Sequence, residues 1–155
     1  MKLILSIALT GILYVSCQPK TTTPESNSIP LPIIGTWQLV TGTLIEKGDT
    51  TVTDYSKDKS FIKIINSTHF AFLLHDLKQG KDSTGIFSAG GGRYTLVADK
   101  YIEHLEYCSD RAWEGHDFEF TLTVTEDTFI QRGIEKIENE GIDRINIEKY
   151  KRVKN

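Results

Sequence analysis

The residues with the most chemical potential lie in the segment 100–107, which reads Lys-Tyr-Ile-Glu-His-Leu-Glu-Tyr. In an extended strand, alternate side chains point to opposite faces. One face would carry Tyr101, Glu103, Leu105 and Tyr107, and the other Ile102, His104, Glu106 and Cys108. We favour the first set as inward-facing, because a carboxylate with two phenols suits the polar end of an otherwise apolar ligand. The alternative is a buried polar network that is satisfied without a ligand.

Nucleophilic catalysis is a second kind of chemistry that this region could support. Cys108 precedes His116 in the same stretch, and a thiol beside an imidazole can act as a nucleophile. Nothing nearby supplies an orienting third group or an oxyanion hole, so an inert thiol at a strand end is the simpler interpretation. Glu103 and Glu106 point to opposite faces of a strand, which excludes a glycosidase pair acting together. The sequence therefore favours a protein without catalytic residues.

Metal binding is a third kind. The histidines are His69, His75, His104 and His116. They lack the spacing of helical metal motifs such as H-E-x-x-H. His104 and Glu106 could share a cation, but two ligands rarely make a site. We therefore expect neither a metal nor another cofactor.

The composition, 39% hydrophobic and 25% charged residues in a chain of 155, is that of one ordinary globular domain. The formal net charge of −3 at pH 7 gives no overall attraction to nucleic acid, so we expect no such partner. All four prolines precede residue 33. They divide the chain into a leader over 1–16, a tether over 17–32 and a proline-free body over 33–155.

The leader has the pattern of a signal peptide. Lys2 is followed by an apolar stretch from Leu3 to Val15, which is shorter than the roughly 20 apolar residues that a stable membrane span requires. The sequence Val15-Ser16-Cys17 resembles the lipobox of bacterial lipoproteins. The resemblance implies cleavage before Cys17 and lipidation of its thiol, with a plain secretory signal as the alternative.

The tether is predicted to stay extended, since nine of the fifteen residues in 18–32 are Pro, Ser or Thr. Acyl chains on Cys17 would anchor the body to a membrane of the cell envelope. Gln18 is not the aspartate that favours inner-membrane retention in well-studied enterobacterial lipoproteins. We therefore expect an outer-membrane location, on a face that the sequence leaves open.

The body is dominated by period-two alternation, as in 116–125 and in Ile145 and Ile147 of 144–153. We predict strands at 34–45, 50–54, 60–66, 68–75, 84–88, 92–97, 100–107, 117–125, 128–134 and 143–153. The short separations require antiparallel hairpins, and so many strands can hide their edges by closing on themselves. We predict an all-β, up-and-down antiparallel barrel of about eight to ten strands. The chain should bulge or bend at Gly90-Gly91-Gly92. A short helix at 134–142 is the one helical alternative.

The opening of the body, Ile34-Gly35-Thr36-Trp37, resembles the G-x-W signature of the lipocalin and calycin group. That resemblance implies a basic side chain from the last strand lying across Trp37, with Arg152 as the candidate and Lys151 as the alternative. The body as a whole is similar to lipocalin-like domains of unknown function in envelope lipoproteins of gram-negative bacteria. We expect Gly35, Trp37 and Arg152 to close one end of the barrel, because a cation on an indole favours such a seal.

These features together predict a tethered, non-enzymatic barrel that holds a small apolar or amphipathic molecule. The expected cavity wall consists of Phe70, Phe72, Phe118, Phe120 and Leu122, and the expected orienting groups are Tyr101, Glu103 and Tyr107. Trp113 would be either a flap over the mouth or a cap on the core. The alternative is a filled barrel that serves the envelope as a structural or protein-interaction module, with no small-molecule site.

Overall fold

The computed structural model of the chain describes residues 33–83 and 85–154. The predicted leader and tether, with Cys17, lie outside the described residues. The described residues form nine strands and two short 3-10 helices. The strands are β1 (Gly35–Glu46), β2 (Asp49–Asp54), β3 (Lys59–Ile65), β4 (His69–Asp76), β5 (Phe87–Val97), β6 (Lys100–Cys108), β7 (His116–Val124), β8 (Thr128–Ile137) and β9 (Ile142–Arg152). The 3-10 helices span Arg111–Trp113 and Glu138–Glu140.

The sheet closes into a barrel, which confirms the predicted fold. From β3 to β9 each strand pairs antiparallel with the next in sequence. The circle closes because the first half of β1 pairs with β3, while β9 pairs along most of β1. Eight strands therefore form the wall. The additional strand β2 pairs with the second half of β1.

The segment around the three glycines differs from prediction, since one continuous strand, β5, replaces the two expected at 84–88 and 92–97. The register against β6 shifts between Gly91 and Gly92, which face Tyr107 and Leu105 respectively. A Cβ added at Gly92 would collide with the carbonyl oxygen of His104. Glycine is thus required because the backbones of β5 and β6 approach closely at a bulge, which is what the triplet predicted.

The helix considered for 134–142 does not form. Residues 128–137 belong to β8, which pairs with β9 as far as Ile137 opposite Ile142. A single 3-10 turn follows, and Gly141 ends it with a φ of 66°. Ladder hydrogen bonds to β9 therefore outweigh the helical spacing of the two isoleucines.

One end of the barrel is packed solid. Trp37, Phe129 and Tyr150 are each 0% exposed, with ring centroids 5.4 Å apart for the first two and 5.1 Å for the last two. Tyr101 adds an edge-on contact to Phe129 at 6.5 Å. Other buried residues of this core include Ile33, Leu39, Ile65, Phe70 and Leu122. None of these side chains lines the cavity described next, so this half of the barrel is filled.

Candidate functional site

The other half of the barrel holds a cavity of about 290 Å³ that is partly open to solvent. Aromatic and aliphatic side chains form most of its wall. They are Leu44, Tyr55, Phe61, Phe72, Leu105, Trp113, Phe118 and Phe120. Larger polar side chains line another part of the interior: Lys63, Gln131, Glu103, Glu135, Arg144, Asn146 and Glu148. The remaining lining residues are Gly42, Thr53, Ser88, Cys108 and Asp110.

The polar side of the cavity comes mainly from two adjacent strands. Gln131 and Glu135 occupy inward positions of β8, and Arg144, Asn146 and Glu148 occupy successive inward positions of β9. Register pairs Gln131 with Glu148 and Glu135 with Arg144. The strand alternation that places aromatic rings inside on β4 and β7 therefore places amides and charges inside on β8 and β9.

Lys63 forms the centre of a polar layer at the floor of the cavity. Its side chain is 2% exposed, and Nζ donates hydrogen bonds to Oε1 of Glu103 at 2.5 Å and to Oε1 of Gln131 at 2.8 Å. The ammonium also lies 5.6 Å from the ring centroid of Phe70 and 5.4 Å from that of Tyr150. The layer thus separates the packed half from the cavity and satisfies the charge that it buries.

A second polar cluster lies nearer the mouth. Arg144 Nε donates to Oε2 of Glu135 at 2.7 Å, and Asn146 Nδ2 donates to Oε1 of the same carboxylate at 2.6 Å. The guanidinium carbon of Arg144 lies 5.1 Å from the ring centroid of Trp113, whose ring is 5.6 Å from Phe118. Trp113, at the end of the first 3-10 helix, therefore joins the polar cluster to the aromatic wall.

Glu148 lies between these two clusters on β9. Its Oε2 accepts a hydrogen bond from the Tyr150 hydroxyl at 2.6 Å and is 3.8 Å from Lys63 Nζ. The side chain is 16% exposed, more than its neighbours Glu103 and Glu135 at 9% each. This carboxylate is therefore the most open of the three that line the interior.

Burial dominates the electrostatics of the site. It is the main cause that raises the pKa of Glu103, against the opposing charge of Lys63, and the main cause that raises the pKa of Glu135, against that of Arg144. The negative charge of Glu148 adds to both shifts. Burial followed by the charge of Glu103 also raises the pKa of Tyr101, whose hydroxyl has no hydrogen-bond partner among the described residues.

The expected ligand-binding residues lie in three regions of the structure, which are the cavity, the packed half and the outside of the barrel. Phe72, Glu103, Phe118 and Phe120 line the cavity. Phe70, Tyr101 and Leu122 point inward but belong to the packed half, contrary to the expectation that they contact a ligand.

Tyr107 is a correction to the inward set, since it is 69% exposed on the outside of the barrel. The bulge leaves Glu106 without a register partner between Leu105 and Tyr107, and alternation therefore reverses beyond it. Cys108 lines the cavity in place of Tyr107, and burial raises the pKa of its thiol.

The signature residues meet at the packed end. The guanidinium carbon of Arg152 lies 4.0 Å from the ring centroid of Trp37, while Lys151 is exposed. Arg152 Nη1 donates to the carbonyl of Ile34 at 2.9 Å, and the indole Nε1 of Trp37 donates to the carbonyl of Ile33 at 2.7 Å. A Cβ added at Gly35 would lie 2.6 Å from Arg152 Nη1, so glycine makes room for the cation.

Sequence reasoning missed the six polar residues that accompany Glu103 at the cavity: Lys63, Gln131, Glu135, Arg144, Asn146 and Glu148. The sequence contained one signal for the three of these residues that lie on β9. Placing Arg152 over Trp37 fixes the inward parity of β9, and the even-numbered residues Arg144, Asn146 and Glu148 share that parity.

Residues 33–83 and 85–154 include all four histidines. They contain no group of three or more His, Cys, Asp or Glu side chains that could hold a metal ion. His104 Nδ1 is 2.8 Å from Asp117 Oδ1, while His116 Nδ1 is 3.3 Å from the Trp113 carbonyl.

Among the described residues, no helix has the length and hydrophobicity needed to cross a membrane.

Comparison of the chain with family models, with curated proteins and with solved structures finds no match in any of the three. The strand pairings by themselves define the fold class, a closed eight-stranded antiparallel barrel with one additional strand. The resemblance to lipocalin-like domains stays a prediction.

Proposed function

We propose that this protein is a non-enzymatic binding protein that holds a small amphipathic molecule in the open half of its barrel. The observation that carries the proposal is the division of the interior, with one half packed and the other a cavity of about 290 Å³. That volume lies near the lower end of ordinary ligand sites, about 300–1,000 Å³. Aromatic walls with a few convergent polar groups are also typical of such sites.

The expected mode of binding follows from the two walls. The apolar part of the ligand would lie against Phe61, Phe72 and Phe118, and its polar part would face β8 and β9. Burying about 200 Å² of apolar ligand surface would contribute about 5 kcal/mol. Hydrogen bonds would add about 1 kcal/mol each. After the cost of association, an affinity in the micromolar to millimolar range is expected.

A binding test with a neutral fluorescent probe separates this proposal from a filled barrel. N-phenyl-1-naphthylamine should gain fluorescence on mixing with the full chain and should raise its melting temperature. Leu44→Trp, which adds bulk to the cavity wall, should weaken binding at least about tenfold. Val97→Trp, at a position 74% exposed, is the matched control and should bind like the wild type. The proposal fails if neither this probe nor a panel of small lipids binds the wild type.

A second candidate, the protein-interaction module, is favoured by a different observation. Four apolar side chains are exposed on the outer face of β3 to β6: Ile64, Leu73, Phe87 and Tyr107, at 41%, 36%, 70% and 69%. Exposed apolar patches often mark interaction sites. A photo-crosslinker at Phe87 should then capture a protein partner in intact cells, whereas one at Val97 should not. Equal capture at both positions would remove this candidate.

The proposed location in the cell rests on the sequence alone. Lipidation of Cys17 would anchor the barrel to the envelope, with the outer membrane as the expected site. An alkyne analogue of palmitate fed to the producing cells should label the wild type and the Cys108→Ser variant. It should not label Cys17→Ser. Labelling that survives in Cys17→Ser would remove the lipoprotein assignment.

A further inference from the structure

The charges on the cavity wall do not balance. The acidic residues are Glu103, Asp110, Glu135 and Glu148, and the basic residues are Lys63 and Arg144. Lys63 is paired with Glu103 and Arg144 with Glu135, at 2.5 and 2.7 Å. Asp110 lies in the exposed loop after β6, where its carboxylate caps the 3-10 helix. Glu148 shares Lys63 with Glu103, at the longer distance of 3.8 Å, and is therefore the interior carboxylate without a cation in hydrogen-bond contact.

The oxygens that face the cavity on β9 have spare capacity to accept hydrogen bonds. Glu148 uses Oε2 for the Tyr150 hydroxyl, and Oε1 has no partner among the described residues. Asn146 is 7% exposed and gives its amide nitrogen to Glu135. The Glu135 carboxylate can only accept, so the atom of Asn146 that contacts it must be the amide nitrogen. The remaining polar atom of Asn146 is therefore Oδ1, which has no partner in the described part of the chain either.

The two free oxygens belong to neighbouring positions on one face. Asn146 and Glu148 are consecutive inward residues of β9 and both line the cavity. Side chains two apart on one face of a strand lie about 7 Å apart at their origins. A single donor group between them can therefore reach both oxygens. Two acceptors, one of them charged, suit a cationic donor with several N–H groups.

The remaining walls also favour a cation with an apolar body. Phe61, Phe72 and Phe118 line the cavity, and the negative faces of aromatic rings attract ammonium groups. The charge of Glu148 also acts on Tyr55 at the mouth. Burial is the main cause that raises the pKa of Tyr55, and the charge of Glu148 is the second. The charge of Arg144 lowers the pKa of the same hydroxyl, so the negative charge of Glu148 reaches the mouth but is partly offset there.

Two donors on the wall would instead suit an anion. The terminal nitrogens of Arg144 and the amide nitrogen of Gln131 make no hydrogen bond to the described residues. The charge of Arg144 is offset by Glu135 at 2.7 Å, and Gln131 is neutral. A hydroxyl on the ligand, or water, would satisfy both donors, so they do not reverse the balance of charge.

We propose that the cavity selects a small protonated amine, whose ammonium group donates hydrogen bonds to Oε1 of Glu148 and Oδ1 of Asn146 and whose apolar part lies on the aromatic wall. The inference rests on the proposed function, since it names the chemical class of the molecule that the cavity binds.

Three ligands of matched size test the inference on the full chain at pH 7 by titration calorimetry. They are 2-phenylethylamine, 2-phenylethanol and 3-phenylpropanoate. The amine should bind at least about tenfold more tightly than the alcohol, because it places a positive charge beside a carboxylate whose nearest cation is 3.8 Å away. The propanoate should bind most weakly. This comparison uses the wild type and does not depend on any variant folding.

A variant at Glu148 then tests whether this carboxylate binds the amine. Glu148→Gln removes the charge but keeps an oxygen for the Tyr150 hydroxyl, so it should weaken amine binding about tenfold and leave alcohol binding within about twofold. Glu126→Gln makes the same change of charge at an exposed residue by the packed end, and should alter neither affinity. Unchanged alcohol binding shows that the variant is folded.

The outcomes distinguish the inference from the function on which it rests. Equal binding of amine and alcohol, or tightest binding of the propanoate, would overturn the amine inference and leave the binding function in place. Binding of the neutral naphthylamine probe without any of the three ligands would do the same. Failure of these four compounds and of the lipid panel to bind would overturn both.

Discussion

Replacing Lys63 with methionine is the most direct test of how the interior is held together. The change keeps the length of the side chain and removes the ammonium that contacts Glu103 at 2.5 Å. Both side chains are nearly buried, at 2% and 9% exposure, so the carboxylate would be left without its cation. Breaking a buried pair in this way costs about 3–5 kcal/mol of unfolding free energy.

The double variant Lys63→Met with Glu103→Leu should recover most of that loss. It removes both members of the closest buried pair. It leaves the Gln131 oxygen without its donor and takes Lys63 away from Glu148, 3.8 Å distant and 16% exposed, which together cost about 1–2 kcal/mol. We expect the double variant to be within about 2 kcal/mol of the wild type. Glu103→Leu alone should cost about 1–2 kcal/mol, because Lys63 keeps Gln131 as an acceptor and Glu148 at 3.8 Å. The two single variants and the double variant should then show a coupling of at least about 2 kcal/mol.

Urea unfolding followed by tryptophan fluorescence measures these values. Lys100→Met is the matched control, since Lys100 and Glu119 form an ion pair at 2.8 Å with side chains 55% and 58% exposed. Its loss should cost less than about 1 kcal/mol. The Lys63→Met loss should also shrink as the pH falls, because burial raises the pKa of Glu103 and the carboxylate can then take up a proton. A double variant no more stable than Lys63→Met would refute the reasoning.

Three further predictions concern the packed end, the bulge and the second polar cluster. Arg152→Met should cost about 2 kcal/mol in urea unfolding, because it removes the cation over Trp37 and a hydrogen bond to Ile34; a loss below about 0.5 kcal/mol would contradict the seal. Gly92→Ala should cost at least about 2 kcal/mol from its clash with the His104 carbonyl. Gly115→Ala should cost less, about 1 kcal/mol, because nothing lies near the added methyl group and only the positive φ of 78° opposes it; equal losses would argue against the clash. Burial raises the pKa of Glu135 above 4.5, so the folded state holds that proton more tightly and its contribution to stability is lost as pH rises through the raised pKa. The unfolding free energy of Glu135→Gln minus that of the wild type should therefore increase from pH 4.5 toward about pH 8, and a flat or falling difference would contradict it.

The barrel could be predicted from the sequence because its causes are local. Alternation in segments such as 116–125 specifies half-buried strands, and turn-forming residues between them specify hairpins. Closure then follows from the need to cover edges. The error at β5 has a local cause as well, since Gly90-Gly91-Gly92 carries no alternation and looks like a break between two strands. Only pairing with β4 and β6 shows it to be continuous.

The candidate site could be predicted only in part, because facing depends on register. Tyr107 was assigned inward by unbroken alternation from Tyr101, and the bulge opposite Gly91 and Gly92 reversed it. On β9 the apolar residues Ile145 and Ile147 suggested one face, whereas contact of Arg152 with Trp37 fixes the other face as inward. Side-chain hydrophobicity alone therefore does not determine which face is inward at the strand that supplies most of the polar wall.

The way in which the polar wall is satisfied separates binding from a purely structural role. A structural network inside a barrel is most stable when every buried donor and acceptor is paired within it. The floor comes close to that limit, since Lys63 contacts Glu103 and Gln131 directly. On β9, by contrast, Asn146 and Glu148 each direct one polar atom to a protein partner and leave one oxygen at the cavity. Among the described residues, the fully buried polar side-chain atom without a partner is the Tyr101 hydroxyl, so the oxygens of Asn146 and Glu148 open onto the cavity. A ligand or ordered water can be their partner there, and the three-ligand comparison distinguishes the two.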